Sequence, residues 1–138
     1  YVPLRVCFLF TLFLEKCKKY CDFLIVGVYT DELTATYKRK PIMPFEERLH
    51  LVEALKPVNM VVKVENRDCT FMLNKLASEG WKISFLFHGD DWSLKNDEDL
   101  QKSKATIESL GGKLVLTPYF HGQTTTKIIE KIQNGAGK

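Results

Sequence analysis

The sequence predicts an α/β domain: a doubly wound parallel sheet of about five strands with helices on both faces. Three observations predict it. Short β-type apolar runs alternate with amphipathic stretches along the whole chain, and the run from Phe23 to Tyr29 is continuous, as expected of a strand covered on both faces. The 138 residues are also the length of one domain able to bury a core. No linker or internal repeat divides the chain, so residues 1–138 are expected to form a single unit.

Taken in order, the run from Val6 to Phe10 is the weakest strand candidate. Phe23 to Tyr29 is a continuous β-type run, and Met60 to Val64, Ile83 to Phe87 and Lys113 to Thr117 read the same way. Phe45 to Leu55 follows Pro44, opens with Glu46 and Glu47, and keeps Phe45, Leu49, Val52 and Leu55 at helical spacing. Thr70 to Ser78 and Leu100 to Leu110 are also predicted helical, the second ended by Gly111 and Gly112. A last helix is expected from about Thr125 to Gln133.

Composition narrows the function. Hydrophobic residues make up 45% and charged residues 27%, the balance of a soluble globular protein. A net charge of +3 suits a phosphate-bearing partner and is too small for a nucleic-acid-coating surface. Cys7, Cys17, Cys21 and Cys69 form no CxxC and have no histidine at zinc-ligand spacing, so they read as reduced thiols of a cytoplasmic protein. The apolar stretch from Leu4 to Leu14 contains Arg5 and is too short to span a bilayer, and it lacks the pattern of a signal peptide. The chain opens on Tyr1 rather than a methionine, which suggests a trimmed start.

Open parallel sheets bind ligands beyond the carboxyl ends of their strands. Three such segments stand out. After Tyr29 comes a loop with Lys38, Arg39 and Lys40, either a solvated charge run or a cationic arm that reaches over phosphates. After Phe87 comes His88-Gly-Asp-Asp-Trp92. Gly89 allows close backbone approach, Asp90 or Asp91 offers an acceptor to a base or hydroxyl, and Trp92 offers an apolar wall; a simple Asp-rich turn is the alternative. After Thr117, Gly122 and the hydroxyls of Thr124, Thr125 and Thr126 lead into the last helix, where free N–H groups favour an anion. A threonine N-cap explains one hydroxyl, and three exceed that need.

Together these segments resemble the glycerol-3-phosphate cytidylyltransferase family, with its choline- and ethanolamine-phosphate relatives. The resemblance covers about Glu15 to Ile129 and rests on Glu15 to Glu32, Pro44 to Leu49, Gly89 to Trp92, and Gly122 to Ile128, in that order and spacing. It implies a Rossmann-like nucleotidyltransferase fold and transfer of CMP from CTP to a small phosphorylated alcohol of the glycerol-, ribitol-, choline- or ethanolamine-phosphate type, with pyrophosphate released. It further implies a magnesium ion accompanying the nucleotide and a homodimer, although the family's interface segment is altered here to Lys56-Pro-Val-Asn59.

By that resemblance Lys38, Lys40 and Arg48 serve catalysis at the phosphates, Gly122, Thr124, Thr125 and Thr126 hold the triphosphate, and Gly89, Asp90, Asp91 and Trp92 enclose the nucleotide or the alcohol. The chain departs from the family at its start. The two histidines of a His-x-Gly-His signature fall, counting back from Glu15, at Cys7 and Phe10. Tyr119 likewise stands where many relatives carry arginine. Three accounts follow: an altered start, a degenerate member that binds nucleotide without turnover, or replacement of the lost contacts by His88 or His121. An adenylyltransferase of the wider superfamily is a lesser alternative.

Overall fold

A computed structural model describes residues 8–36, 40–89, 97–117 and 125–135, with backbone alone for 8–11 and 125–128. The elements run α1 (Phe8–Lys18), β1 (Ile25–Tyr29), α2 (Asp31–Ala35), α3 (Phe45–Glu53), β2 (Met60–Val64), α4 (Thr70–Ser78), β3 (Phe85–Gly89), α5 (Glu98–Ser109), β4 (Lys113–Thr117) and α6 (Thr125–Gly135).

The strands are parallel, as expected, and the structure sorts them into two pairs. β1 lies beside β2 with Ile25 opposite Met60 and Tyr29 opposite Val64. β3 lies beside β4 with Phe85 opposite Lys113 and Gly89 opposite Thr117. Among the described residues these are the two ladders, β1–β2 and β3–β4, so four strands stand where about five were expected.

The difference lies at the N-terminal end. Phe8 to Phe10, read from sequence as part of a weak strand, belong to α1. The helical period explains why: Leu14 and Cys17, one turn apart, are both buried, and Phe13 and Cys21 pack beside them. An apolar run of this length does not by itself distinguish strand from buried helix.

The pleat of β1 sends alternate residues to opposite faces. Leu24, Val26 and Val28 point to one face and form a core with Leu14 and Cys17 of α1 and Val52 of α3. Tyr29 points to the other, where it packs with Leu33 and Val64. Helices thus cover both faces. At the start of this pair, the side chain of Asn59 accepts from Leu24 N at 2.8 Å and from Lys18 Nζ, while Asn59 N and Met60 N donate to Leu24 O.

The second half is tied together by polar contacts between helices. Thr70 Oγ1 lies 2.8 Å from Thr106 Oγ1, Cys69 N donates to Ser103 Oγ at 3.0 Å, and Arg67 pairs with Asp97 at 2.9 Å. Asp97 also caps α5, accepting from Leu100 N. α4 and α5 end alike, with Gly80 and Gly111 at φ +95° and +85°, a conformation that favours glycine.

Candidate functional site

The carboxyl ends of β1, β3 and β4 launch the three segments singled out from sequence. Gly89 and Thr117 are register partners, so β3 and β4 end side by side. Thr117 is buried, and its Oγ1 donates to His88 O at 3.3 Å, fastening the two strand ends. Asp90, Asp91, Trp92, Gly122 and Thr124 themselves lie outside the described residues, as do Lys38, Arg39, Tyr119 and His121. Thr125 and Thr126 are the first two residues of α6, as the sequence predicts.

At the end of β1 the chain turns into α2. Thr30 N donates to Val64 O at 3.1 Å, and the Thr30 hydroxyl caps α2 by accepting from Leu33 N. Asp31 follows and is the acceptor on which this region is organised. Its carboxylate takes an ion pair from Arg48 Nη2 at 2.5 Å and a hydrogen bond from Phe45 N at 3.3 Å.

Arg48, expected at the phosphates, is 0% exposed and sits in α3. Its Nε donates to Met43 O at 3.1 Å. The guanidinium therefore grips both ends of the connection from Asp31 to Met43, the one that carries the predicted Lys38–Lys40 cluster. Lys40 is exposed at the end of that connection. Among the described residues Arg48 Nη1 has no hydrogen-bond partner, which leaves one donor of a buried cation uncommitted. Sequence reasoning missed Asp31 as its partner. The available signal was Thr30-Asp-Glu at a strand end, a helix cap followed by acidic first-turn residues.

His88 is buried at the end of β3, and burial pushes its imidazole down to about 3. It is neutral at physiological pH and supplies no cation to a phosphate there. Among the described residues no three His, Cys, Asp or Glu side chains are grouped to hold a metal ion, and no helix is long and apolar enough to cross a membrane.

Parallel strand pairs with helices on both faces, and strands β3 and β4 that end side by side, fit the class of nucleotide-binding α/β domains. The chain belongs to the cytidylyltransferase-like family, whose model matches residues 11–131. It is 28% identical over 128 residues to the bifunctional protein HldE of Geobacter sulfurreducens, covering 91% of this chain and 24% of that protein. It is 32% identical over 101 residues to the FAD synthase of Ferroglobus placidus, covering 73% of this chain and 66% of that one. The chain thus spans about a quarter of the length of the HldE relatives it matches. A lipopolysaccharide core biosynthesis protein from Thermoplasma volcanium has a similar fold, with a TM-score of 0.62 at 23% identity over 86% of this chain and 90% of that one.

Proposed function

We propose that this chain is a nucleotidyltransferase that moves CMP from CTP to a small phosphorylated alcohol. The observation that carries the reading is the family match over residues 11–131, supported by the register pairing of Gly89 with Thr117, which ends β3 and β4 side by side. A phosphate oxygen of the alcohol phosphate attacks the α-phosphorus of CTP. One P–O bond forms, the bond to the bridging oxygen between α- and β-phosphorus breaks, and pyrophosphate leaves with the electron pair.

Negative charge builds on the bridging and leaving oxygens, so the protein's task is alignment and cation placement. In this reading Lys38 and Lys40 approach the phosphates from the connection that Arg48 fastens, and Arg48 acts as a positioning residue as well as a buried source of positive charge. Thr125 and Thr126, with Gly122 and Thr124, hold the triphosphate at the start of α6. Gly89, Asp90, Asp91 and Trp92 enclose the nucleotide or the alcohol. Magnesium enters with the triphosphate, for which one or two carboxylates suffice beside phosphate oxygens, and it neutralises phosphate charge when bound. Asp31 is engaged by Arg48 and Phe45 N, and no residue of the chain is assigned to the metal in this reading. A cytoplasmic homodimer belongs to the same reading.

Two observations favour second readings. Cys7 and Phe10 stand where the resembled family has histidines, which favours a binder without turnover. The similarity to a protein named FAD synthase favours ATP as the nucleotide. Release of pyrophosphate from CTP and from ATP, with magnesium and a panel of alcohol phosphates, separates the three. Turnover with CTP and one alcohol phosphate is expected. Turnover with ATP alone assigns adenylyl transfer, and no turnover with either contradicts the enzyme reading.

A further inference from the structure

The loop that follows β2 is built onto α5. Asn66 Oδ1 accepts from Asp68 N at 3.2 Å and Asp68 Oδ1 accepts from Thr70 N at 2.9 Å, so the loop is braced within itself. Cys69 N and Thr70 Oγ1 then reach Ser103 and Thr106 of α5. Arg67, on the same braced loop, reaches the cap residue of that helix, with Nη2 2.9 Å from Asp97 Oδ2. The two side chains are 27% and 18% exposed, so the pair is partly withdrawn from water and is screened less than a surface pair.

Asp97 divides its carboxylate between two tasks. Oδ1 caps α5 by accepting from Leu100 N at 3.1 Å, and Oδ2 takes the guanidinium. The cap serves the helix. The ion pair fixes where the helix begins relative to the carboxyl end of β2, which Arg67 follows by three residues. Arg67 also bears on β3: burial depresses the His88 imidazole first, and the Arg67 charge adds to it. Residues 90–96 connect Gly89 to Asp97 and open with Asp90, Asp91 and Trp92. Gly89 is held by its ladder with Thr117 and Asp97 by Arg67, so strand pairing fixes one boundary of this connection and an ion pair fixes the other. In a connection this short the boundaries restrict the conformations open to it.

The geometry points to Arg67 as a positioning residue for nucleotide binding: through Asp97 it fixes the far boundary of the connection that carries Asp90, Asp91 and Trp92. The inference rests on the preceding reading, in which those residues enclose the substrate, and deepens it by giving them to the nucleotide. Affinity then depends on an ion pair that need not touch the ligand, because a segment held in place loses less freedom on binding.

Asp97→Asn separates the two tasks of the carboxylate. Asparagine caps a helix as well as aspartate does, so α5 keeps its cap and loses the ion pair. The substitution also removes a negative charge, which by charge alone would tighten binding of an anionic nucleotide. Positioning predicts the opposite sign. The test is calorimetric titration of wild type, Asp97→Asn, Arg67→Met and the double variant with CTP and with ATP in magnesium, each folded by its thermal midpoint. Both single variants should weaken binding of the nucleotide that wild type prefers by about fivefold or more, and the double variant by no more than the weaker single. Affinity that is unchanged or tighter in Asp97→Asn overturns the proposal. If Arg67→Met alone weakens binding, Arg67 meets the nucleotide directly and the positioning role is wrong. Equal weakening by Lys104→Met, which removes a positive charge elsewhere on α5, also overturns it, because the effect is then one of net charge. Wild type that binds neither nucleotide contradicts the preceding reading, and this inference falls with it.

Discussion

Arg48 shows how one residue ties together the two ends of a connection it does not belong to. A fully buried guanidinium is held by one carboxylate, Asp31, and one carbonyl, Met43. Removing the counter-ion leaves a buried charge without compensation, so Asp31→Ala should lower stability by about 3–5 kcal/mol in urea unfolding. Arg48→Met, which removes the charge itself, should lower it by less. Equal stability of Asp31→Ala and wild type would contradict the clamp. His88 makes the second prediction at this scale. Its imidazole is depressed to about 3 in the fold, against about 6.5 in the unfolded chain. The unfolded chain therefore binds the extra proton between those values. The stability this histidine contributes is fully present above pH 6.5 and is lost as pH falls toward 3, by up to about 1.4 kcal/mol per pH unit. His88→Gln should flatten that part of the pH–stability curve, and an unchanged slope would mean that His88 is charged in the fold. Lys40 and Arg48 were legible as candidate cations from sequence, but their difference was not. One is exposed and the other buried, and only the fold brings Asp31, fourteen residues ahead of Phe45, to the start of α3.

Local chemistry specifies most elements well. Thr70–Ser78, Met60–Val64 and Lys113–Thr117 match the sequence reading residue for residue, because apolar period and flanking breakers agree there. The end of α5 was legible for the same reason. Gly112 N donates to Ile107 O across the left-handed Gly111, as the Gly-Gly pair indicates. What was not legible is the tight contact that follows. A Cβ at Gly112 would lie 2.7 Å from Ile83 O and 2.9 Å from Ile107 Cδ1. Gly112→Ala should therefore destabilise by about 1–3 kcal/mol, since backbone cannot yield as a side chain does. Thermal unfolding checks this, and an unaffected midpoint would contradict the packing of α5 on β4. α2 escaped sequence reading because five residues hold no apolar period, and its signal is the cap at Thr30. Phe8 to Phe10 went the other way. Their apolar run reads as strand or helix locally, and tertiary packing of Leu14 and Cys17 decided for helix.

At the scale of the molecule, the parallel α/β class was legible because alternation of strand and helix permits few other arrangements. The division into two ladders among the described residues was not, because strand pairing is non-local. The placement of the candidate rim is a consequence of topology: β3 and β4 are parallel and in register, so Gly89 and Thr117 end side by side. The cytidylyltransferase-like family match over residues 11–131 gives that rim its chemical meaning. In the proposed function the Lys38 to Lys40 cluster and the threonines at α6 are parts of one phosphate site, which is a proposal about the whole chain rather than about any segment. The measurement that tests it most directly is a calorimetric titration of the protein with CTP in magnesium, repeated with Thr125→Val/Thr126→Val. The account predicts saturable CTP binding that the double substitution weakens by tenfold or more, about 1.4 kcal/mol. CTP affinity that is absent in the wild type, or unchanged in the variant, would contradict it.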